Sequence, residues 1–202
     1  MNVSATQLLT LLNQHRLRVF TTSDVATLAH ISKSAASHAL GRLTRKSAIE
    51  SLKRGVWFYK LGCVIHPYEA IPYLVQPWPS YVSLYTALSE YGIIAEIPQV
   101  IYGVTADRPH RYQTSLGSYQ LHHLPSHLFW GYEMSRFGEG NAPIAEPEKA
   151  FLDLAYLSLT PRSRLKFPPR REKRWNLDRK KLTRYTRRFG YPRLEKFLEA
   201  NL

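Results

Sequence analysis

The apolar residues near the start of the chain recur at the spacing of an α-helix. Four leucines form this stripe: Leu8, Leu9, Leu11 and Leu12. Ser4 precedes them and is expected to cap the helix. A second, short helix is predicted over residues 24–29, with Thr22 or Ser23 as its cap and Asp24 favourably placed at its positive end.

A third helix is predicted to begin at Lys33, with Ser32 as its cap. Ala36, Leu40 and Leu43 recur at spacings of four and three, so one face of this helix is expected to be buried. The opposite face is short, polar and basic, and it carries Lys33, Ser34, Ser37, His38, Gly41 and Arg42. A helix of this kind suits the major groove of DNA, and the N–H groups of its first turn can also meet a phosphate.

Two runs with strand propensity follow this helix and are predicted to pair as a hairpin. They cover residues 49–52 and 56–61, and the turn between them is Lys53-Arg54-Gly55. A basic tip of this kind can touch the DNA backbone or the minor groove. Residues 1–61 are therefore predicted to form a winged helix-turn-helix, with DNA contacts from Lys33, Ser34, Ser37, His38, Arg42, Arg45, Lys46, Lys53 and Arg54. The alternative is an ordinary three-helix subdomain with a solvated basic face.

Prolines and β-type runs dominate the middle of the chain. Residues 62–79 are rich in proline and are predicted to be a semi-rigid connector. The second domain, residues 80–202, is predicted to begin with a helix that Ser80 caps and Gly92 ends. Further predicted segments are strands at 100–105, 112–115, 118–124 and 129–132, a loop at 137–142 and a helix from Pro147. The predicted fold class is α+β, with a small, mostly antiparallel sheet in this domain and a basic helical C-terminus.

Charge is segregated along the chain. Lys and Arg outnumber Asp and Glu by 9 to 2 in residues 1–61 and by 15 to 4 in residues 161–202. Between these blocks the acidic residues prevail by 9 to 4, and the whole chain carries a formal net charge of +13. Clustered basic side chains attract phosphate backbones and release their counterions, so both ends of the chain are expected to favour polyanions.

The basic C-terminal block is predicted to end in two helices, one from Leu177 to Gly190 and one from Pro192 onward. Its candidate contact residues are Arg170, Arg171, Lys173, Arg174, Arg179, Lys180, Arg184, Arg187 and Arg188. Three interpretations of them stay open: a solvated helix face, a second nucleic-acid contact, and docking to an acidic toxin or toxin-bound RNA. The rings of Trp175 and Tyr185, interleaved with these residues, favour nucleic acid.

Several classes of protein are disfavoured by the remaining composition. Cys63 is the single cysteine, so no internal disulfide is possible and a reducing compartment is indicated. The first residues do not show the basic and apolar pattern of a signal peptide, and no apolar run approaches the roughly 20 residues of a membrane span, so a cytoplasmic protein without a membrane partner is expected. No phosphate-binding glycine loop or nucleophile motif is present, and Glu146, Glu148 and Asp153 are better explained by helix-end and salt-bridge roles. No enzymatic activity, cofactor or metal site is therefore predicted.

Four segments of the chain stand in a recognisable order: residues 81–94, 100–105, 112–124 and 145–154. This ordered set resembles the AbiEi-type antitoxins of abortive-infection (type IV toxin–antitoxin) systems, and the resemblance covers roughly residues 5–160. In that family a winged helix binds the promoter of a two-gene operon, and the antitoxin neutralises a nucleotidyltransferase-like toxin from the second gene. The resemblance implies a DNA-binding transcriptional autorepressor and antitoxin, whose partners are a double-stranded operator and such a toxin. A homodimer on DNA is one arrangement that this function allows.

Two other functions stay open at the level of the sequence. A stand-alone winged-helix regulator with a ligand-sensing middle domain would be favoured by a large apolar pocket in that domain. An enzyme, such as a nuclease accessory, would be favoured by a convergent cluster of carboxylates within reach of a metal. A nucleotidyltransferase-like reading frame beside this gene would favour the antitoxin over both.

Overall fold

The computed structural model describes residues 3–161, 163–168 and 175–201. Its N-terminal region contains three helices, α1 (Ala5–Gln14), α2 (Thr22–Leu28) and α3 (Lys33–Arg45). Three short strands accompany them: β1 (Val19–Thr21), β2 (Ile49–Lys53) and β3 (Val56–Tyr59). These strands form an antiparallel sheet in the order β1-β3-β2. The three helices and the hairpin occur in the order that the hydrophobic pattern predicts.

The start of α2 differs from the prediction. Its cap is Thr21, which precedes both predicted candidates. The Thr21 hydroxyl accepts from the Asp24 N–H at 3.1 Å, and the Asp24 carboxylate accepts from the Thr21 N–H at 2.7 Å. This capping box satisfies two N–H groups that the helix cannot bond internally. The preceding Val19 and Phe20 are buried and pair with β3, so a strand missed in the sequence runs directly into the helix.

The rest of the chain is built around a six-stranded sheet. Its strands are β4 (Ser80–Val82), β5 (Ile101–Thr105), β6 (His110–Thr114), β7 (Gly117–His123), β8 (Tyr132–Phe137) and β9 (Gly140–Ala145). They lie in the order β6-β7-β5-β4-β9-β8, with β4–β9 and β5–β7 parallel and the other neighbours antiparallel. Among the described residues antiparallel pairs therefore prevail in both sheets, which confirms the predicted α+β class with mostly antiparallel pairing.

Five further helices belong to this larger region. They are α4 (Ile71–Leu74), α5 (Leu84–Glu90), α6 (Pro147–Ser158), α7 (Arg179–Phe189) and α8 (Pro192–Asn201). Helix α6 is the central one, because it packs against α5, α7 and α8 and is buried continuously over residues 148–155. No helix within the described ranges has both the length and the apolar character that a membrane crossing requires.

The prediction of a connector over residues 62–79 is wrong. Residues Pro67–Ala70 form a short 3-10 turn that leads directly into α4, and Glu69, Ile71 and Leu74 are buried. The turn and α4 contact β4 and β9 of the large sheet. Burial of the apolar residues thus outweighs the proline content, and the segment becomes part of the core.

Three boundaries in the larger region also differ from the prediction. Ser80–Val82 form β4 instead of beginning a helix, and all three residues are buried. Strand β8 begins at Tyr132, where the predicted strand ends, and the predicted loop at 137–142 spans the turn into β9. A strand that is buried on both faces lacks the alternation by which a half-buried strand is identified in a sequence.

Two hydrophobic clusters hold these elements together. One lies among α1, α2 and α3 and includes Leu8, Leu12, Phe20, Leu40 and Leu43. The other fills the larger region and also takes in residues of the N-terminal sheet, namely Val19, Leu52, Val56 and Phe58. Because the small sheet contributes to both clusters, the N-terminal region is packed against the rest of the chain instead of hanging from a linker.

Candidate nucleic-acid interface

Helix α3 has one apolar face and one polar face. The Ser32 hydroxyl accepts a hydrogen bond from the Ala35 N–H at 3.2 Å and caps the helix as predicted. Ala36, Leu40 and Leu43 are completely buried, which confirms the predicted inner face. Two alanines on that face leave little side-chain volume, so α2 packs closely against α3.

The outer face of α3 is free to meet a partner. Lys33, Ser34, Ser37 and His38 are all exposed, and among the described residues none of these side chains has a hydrogen-bond or ion-pair partner. Gly41 leaves open space around the position where a Cβ would stand. Short side chains on an exposed helix allow its backbone to approach closely, and the free hydroxyl and imidazole groups can bond to base edges.

The basic residues near the end of α3 differ in whether their side chains already have a partner. Arg42 is half-buried, and its Nη2 donates to the Val3 carbonyl at 3.1 Å, so this guanidinium ties the start of the chain to α3. Arg45 and Lys46 lie at the end of the helix and are exposed. Arg45 and Lys46 are therefore available as phosphate contacts, whereas Arg42 has a structural partner already.

The two predicted contacts at the hairpin tip point in different directions. Lys53 Nζ donates to the Leu74 carbonyl at the end of α4 at 2.6 Å, and it lies 5.4 Å from the centre of the Tyr112 ring. Burial lowers the pKa of this ammonium group. Lys53, predicted as a DNA contact, is therefore held by the larger region, and Arg54 is the exposed residue of the pair.

An ion-pair network, missed in the sequence, strengthens this docking. Arg18 Nε donates to Glu69 at 2.7 Å, its Nη2 donates to the Val64 carbonyl at 2.6 Å, and its Nη1 lies 3.3 Å from Glu139. Glu69 is only 5% exposed, and a Cβ at Gly140 would stand 2.1 Å from its carboxyl carbon, so the glycine leaves the room that this carboxylate occupies. No local pattern marks Arg18, because its carboxylate partners are 51 and 121 positions away.

Helix α7 carries the second candidate contact surface. Arg179, Lys180, Arg184 and Arg187 are exposed and line a shallow groove together with Thr183. Arg188 is exposed too, but its guanidinium lies 4.3 Å from the centre of the Trp130 ring. The predicted contacts Arg170, Arg171, Lys173 and Arg174 lie outside the described residues.

The inner face of α7 is anchored on the first turn of α6. Lys181 Nζ lies 3.4 Å from Glu146 and 3.2 Å from Glu148, and the Tyr185 hydroxyl donates to Glu146. The Asp178 N–H donates to Glu148 at 2.9 Å. These two carboxylates were expected only to complement the helix dipole. They also orient α7, so that its arginines face outward.

A buried polar cluster lies beneath this anchor. Lys149 and Asp153, one turn apart on α6, form a completely buried ion pair. The Tyr81 hydroxyl accepts from Lys149 at 2.8 Å and donates to Asp153 at 3.1 Å, and Ser83 donates to Asp153 at 2.9 Å. Burial lowers the pKa of Lys149 and raises the pKa of Asp153, while their mutual attraction opposes both shifts. The salt bridge predicted for Asp153 is confirmed. Because both side chains are closed off from solvent, the role of the pair is structural.

The described residues offer no candidate metal centre, and no known family matches the chain, so neither assigns it to a class of proteins. Across residues 3–161, 163–168 and 175–201 no group of three or more His, Cys, Asp or Glu side chains is placed to hold a metal ion. Comparison with protein-family models and with curated proteins finds no match for this chain. The functional conclusion therefore depends on the two basic surfaces and on the resemblance noted in the sequence.

Proposed function

We propose that the N-terminal region is a winged helix-turn-helix that binds duplex DNA with α3 in the major groove. The observation that carries this proposal is the exposed polar face of α3, where Lys33, Ser34, Ser37 and His38 have no partner among the described residues, above a completely buried apolar face. Ser34, Ser37 and His38 are its base-reading candidates, and Lys33 meets a phosphate at the first turn. Arg45, Lys46 and Arg54 add sequence-independent contacts to the backbone.

The basic face of α7 serves in this proposal as a second contact with phosphates. Its four exposed groove residues are long and cationic, and among the described residues none of them pairs with a carboxylate. Long cationic side chains bind phosphates without selecting a base sequence. The α7 face would therefore add affinity and salt dependence, while α3 supplies the sequence preference.

The physiological role that we propose is transcriptional autorepression combined with neutralisation of a nucleotidyltransferase-like toxin. This part of the proposal is supported by the resemblance of four ordered segments to the AbiEi-type antitoxins. Three of these segments cover α5, β5 and the first two turns of α6, which pack together in the larger region. That region is therefore the proposed toxin-binding part of the chain.

DNA binding is tested by titrating the full chain with two duplexes of equal length. One is the sequence immediately upstream of the chain's own gene, and the other has the same bases in scrambled order. A specific operator is expected to bind about 10³-fold or more tightly than the scrambled duplex at physiological salt. Equal affinities for the two duplexes would contradict operator recognition.

Toxin neutralisation is tested by co-expression with a nucleotidyltransferase-like protein encoded beside this gene. The full chain is expected to restore growth of cells that the toxin arrests, and a variant with substitutions on the DNA-reading face (Ser34→Ala, Ser37→Ala) is expected to restore it equally. Continued arrest at matched expression levels would contradict the antitoxin role without affecting the DNA-binding result. Specific operator binding without such a neighbour would favour the stand-alone regulator.

A further inference from the structure

A cleft opens at the edge of the large sheet. It lies between strands β6 and β7 and the segment that follows α6, and its volume is about 570 Å³. Small-molecule sites in proteins commonly occupy about 300–1,000 Å³, so the cleft is large enough for an organic ligand. Strand β6, on one side of the cleft, is the edge strand of the sheet.

The floor of the cleft is polar where a covered sheet would be apolar. Arg111 on β6 stands directly opposite Gln120 on β7, and directly opposed residues of an antiparallel pair share one face. His122 follows Gln120 by two positions and therefore lies on the same face, with its Nε2 atom 3.1 Å from the Gln120 amide nitrogen. A guanidinium, an amide and an imidazole thus line one surface.

The opposite wall comes from the end of α6 and the residues that follow it. Tyr156 is held by the rings of Phe189 and Tyr191, whose centres lie 5.8 and 5.4 Å from its own. Thr160 and Arg164 continue this wall, and Arg164 is exposed. An aromatic ring in a fixed position therefore stands in the same cleft as a second guanidinium.

The positive charge of the cleft has no matching acid among the described residues. Its described lining contains no Asp or Glu, and neither Arg111 nor Arg164 pairs with a carboxylate among the described residues. The neighbouring Asp107 is engaged with His110, at 2.9 Å from the imidazole Nε2. Two guanidinium groups without a carboxylate partner among the described residues attract an anion in a concave surface, and the planar guanidinium matches the geometry of a phosphate.

We propose that this cleft binds a mononucleotide, with its phosphate at Arg111 and Arg164 and its base against Tyr156. Apolar walls formed by Pro125 and Leu157 suit the faces of a base, and the Gln120 amide can both donate to and accept from a base edge. Burial and the nearby Arg111 lower the pKa of His122 to about 4, so at neutral pH this ring is an uncharged hydrogen-bonding group. The proposal does not depend on DNA binding by α3 or on the antitoxin role.

Calorimetric titration of the full chain at neutral pH tests this site with three separate probes: a nucleoside 5′-monophosphate, the nucleoside without phosphate, and inorganic phosphate. The nucleotide is expected to bind with a Kd below about 1 mM and at least about tenfold more tightly than either fragment. Each of the four common bases is used, because the lining does not select one. A 5′-phosphorylated trinucleotide distinguishes a site for free nucleotides from a site for the 5′ end of a strand. A site for strand ends would bind the trinucleotide as tightly as the mononucleotide, whereas a site for free nucleotides would bind it more weakly.

Two substitutions assign the binding to the cleft. Arg111→Gln and Arg164→Gln are each expected to weaken nucleotide binding at least about tenfold, because each removes a charge-assisted contact to the phosphate. Both side chains are exposed, so the fold should tolerate the changes. Arg108→Gln is the matched control: Arg108 is exposed near Arg111 but does not line the cleft, and binding should change less than about twofold. Failure of every nucleotide to saturate the chain, or equal affinities in all three variants, would overturn the proposal.

Discussion

Helices α3 and α7 both present basic faces to solvent, yet they are built differently. Helix α3 has three basic residues among thirteen, and its exposed surface consists largely of serine and histidine. Helix α7 has six basic residues among eleven and an outer surface of arginine and lysine. A helix with short polar side chains can approach base edges, whereas long cations keep a helix at the phosphates. Similar charge in two parts of one chain therefore predicts two different kinds of contact.

The supports of the two helices differ as well. Helix α3 rests on apolar residues and would keep its position without any charge. Helix α7 rests on the carboxylates of α6, and the Lys149–Asp153 pair lies directly beneath it, with Lys149 Nζ 5.0 Å from the centre of the Phe189 ring. Helix α3, the proposed base reader, thus has an apolar support, whereas α7, the proposed phosphate-binding helix, depends on charged groups as well as on its buried Leu182 and Phe189.

The largest effect is expected from Asp153→Ala, which breaks the buried ion pair beneath α7 and leaves the support of α3 unchanged. The substitution leaves the Lys149 ammonium buried without its partner, which costs about 3–5 kcal/mol of unfolding free energy. Urea denaturation of the full chain measures this loss. Glu199→Ala, at an exposed position of α8, is the control and should have almost no effect. A loss below about 1 kcal/mol for Asp153→Ala would mean that the buried pair does not stabilise the core beneath α7.

The next effect concerns base reading by α3. Ser37→Ala should weaken operator binding by about 1–3 kcal/mol if the hydroxyl bonds to a base, and it should leave binding to a scrambled duplex unchanged. Fluorescence titration with both duplexes measures the difference. Thr10→Ala on the exposed side of α1 is the matched control, since it removes a hydroxyl from another helix. Equal weakening on both duplexes would assign Ser37 to the phosphate contacts.

The salt dependence of DNA binding should respond to α7 instead. Arg184→Gln combined with Arg187→Gln should lower the slope of log K against log salt by about 0.9 for each lost phosphate contact, on any duplex. Arg193→Gln with Lys196→Gln, at exposed positions of α8, controls for the loss of two charges. An unchanged slope in the α7 variant would remove this helix from the DNA interface.

The smallest effects should separate Lys53 from Arg54. Lys53→Met loses the hydrogen bond to the Leu74 carbonyl, so stability should fall by about 0.5–1.5 kcal/mol while the salt slope stays the same. Arg54→Gln should leave stability unchanged and lower the slope by about one unit. Denaturation and salt titration of the two variants test both expectations. A lower salt slope for Lys53→Met than for the unsubstituted chain would show that Lys53 leaves the Leu74 carbonyl and contacts a phosphate when DNA binds.

The elements set by short-range signals could be predicted from the sequence. The cap and inner face of α3 follow from Ser32, Ala36, Leu40 and Leu43, which lie within one helix and its cap. Strand β4 could not be predicted in the same way, because Ser80–Val82 are buried throughout and gain their strand conformation from β5 and β9 on either side.

The side-chain clusters required the folded chain. Tyr81 and Asp153 are 72 positions apart, and Arg18 and Glu69 are 51 positions apart, so no local spacing marks either contact. Composition and periodicity identified the basic residues of the candidate interface. They did not show which of these side chains already have a partner within the fold. Lys53 and Arg54 are neighbours in the sequence, and only the fold directs one inward and the other outward.

Site-directed cleavage of DNA tests the proposed division between α3 and α7 most directly. In a Cys63→Ser background, which removes the single native cysteine, Ser34→Cys and Thr183→Cys each carry an iron chelate that cuts nearby DNA. Both positions are exposed, one on α3 and one on α7. The chelate at position 34 should cut the operator at a few defined nucleotides and a scrambled duplex diffusely, while the chelate at position 183 should cut both duplexes diffusely. Defined cuts from position 183 together with diffuse cuts from position 34 would contradict the assignment of base reading to α3.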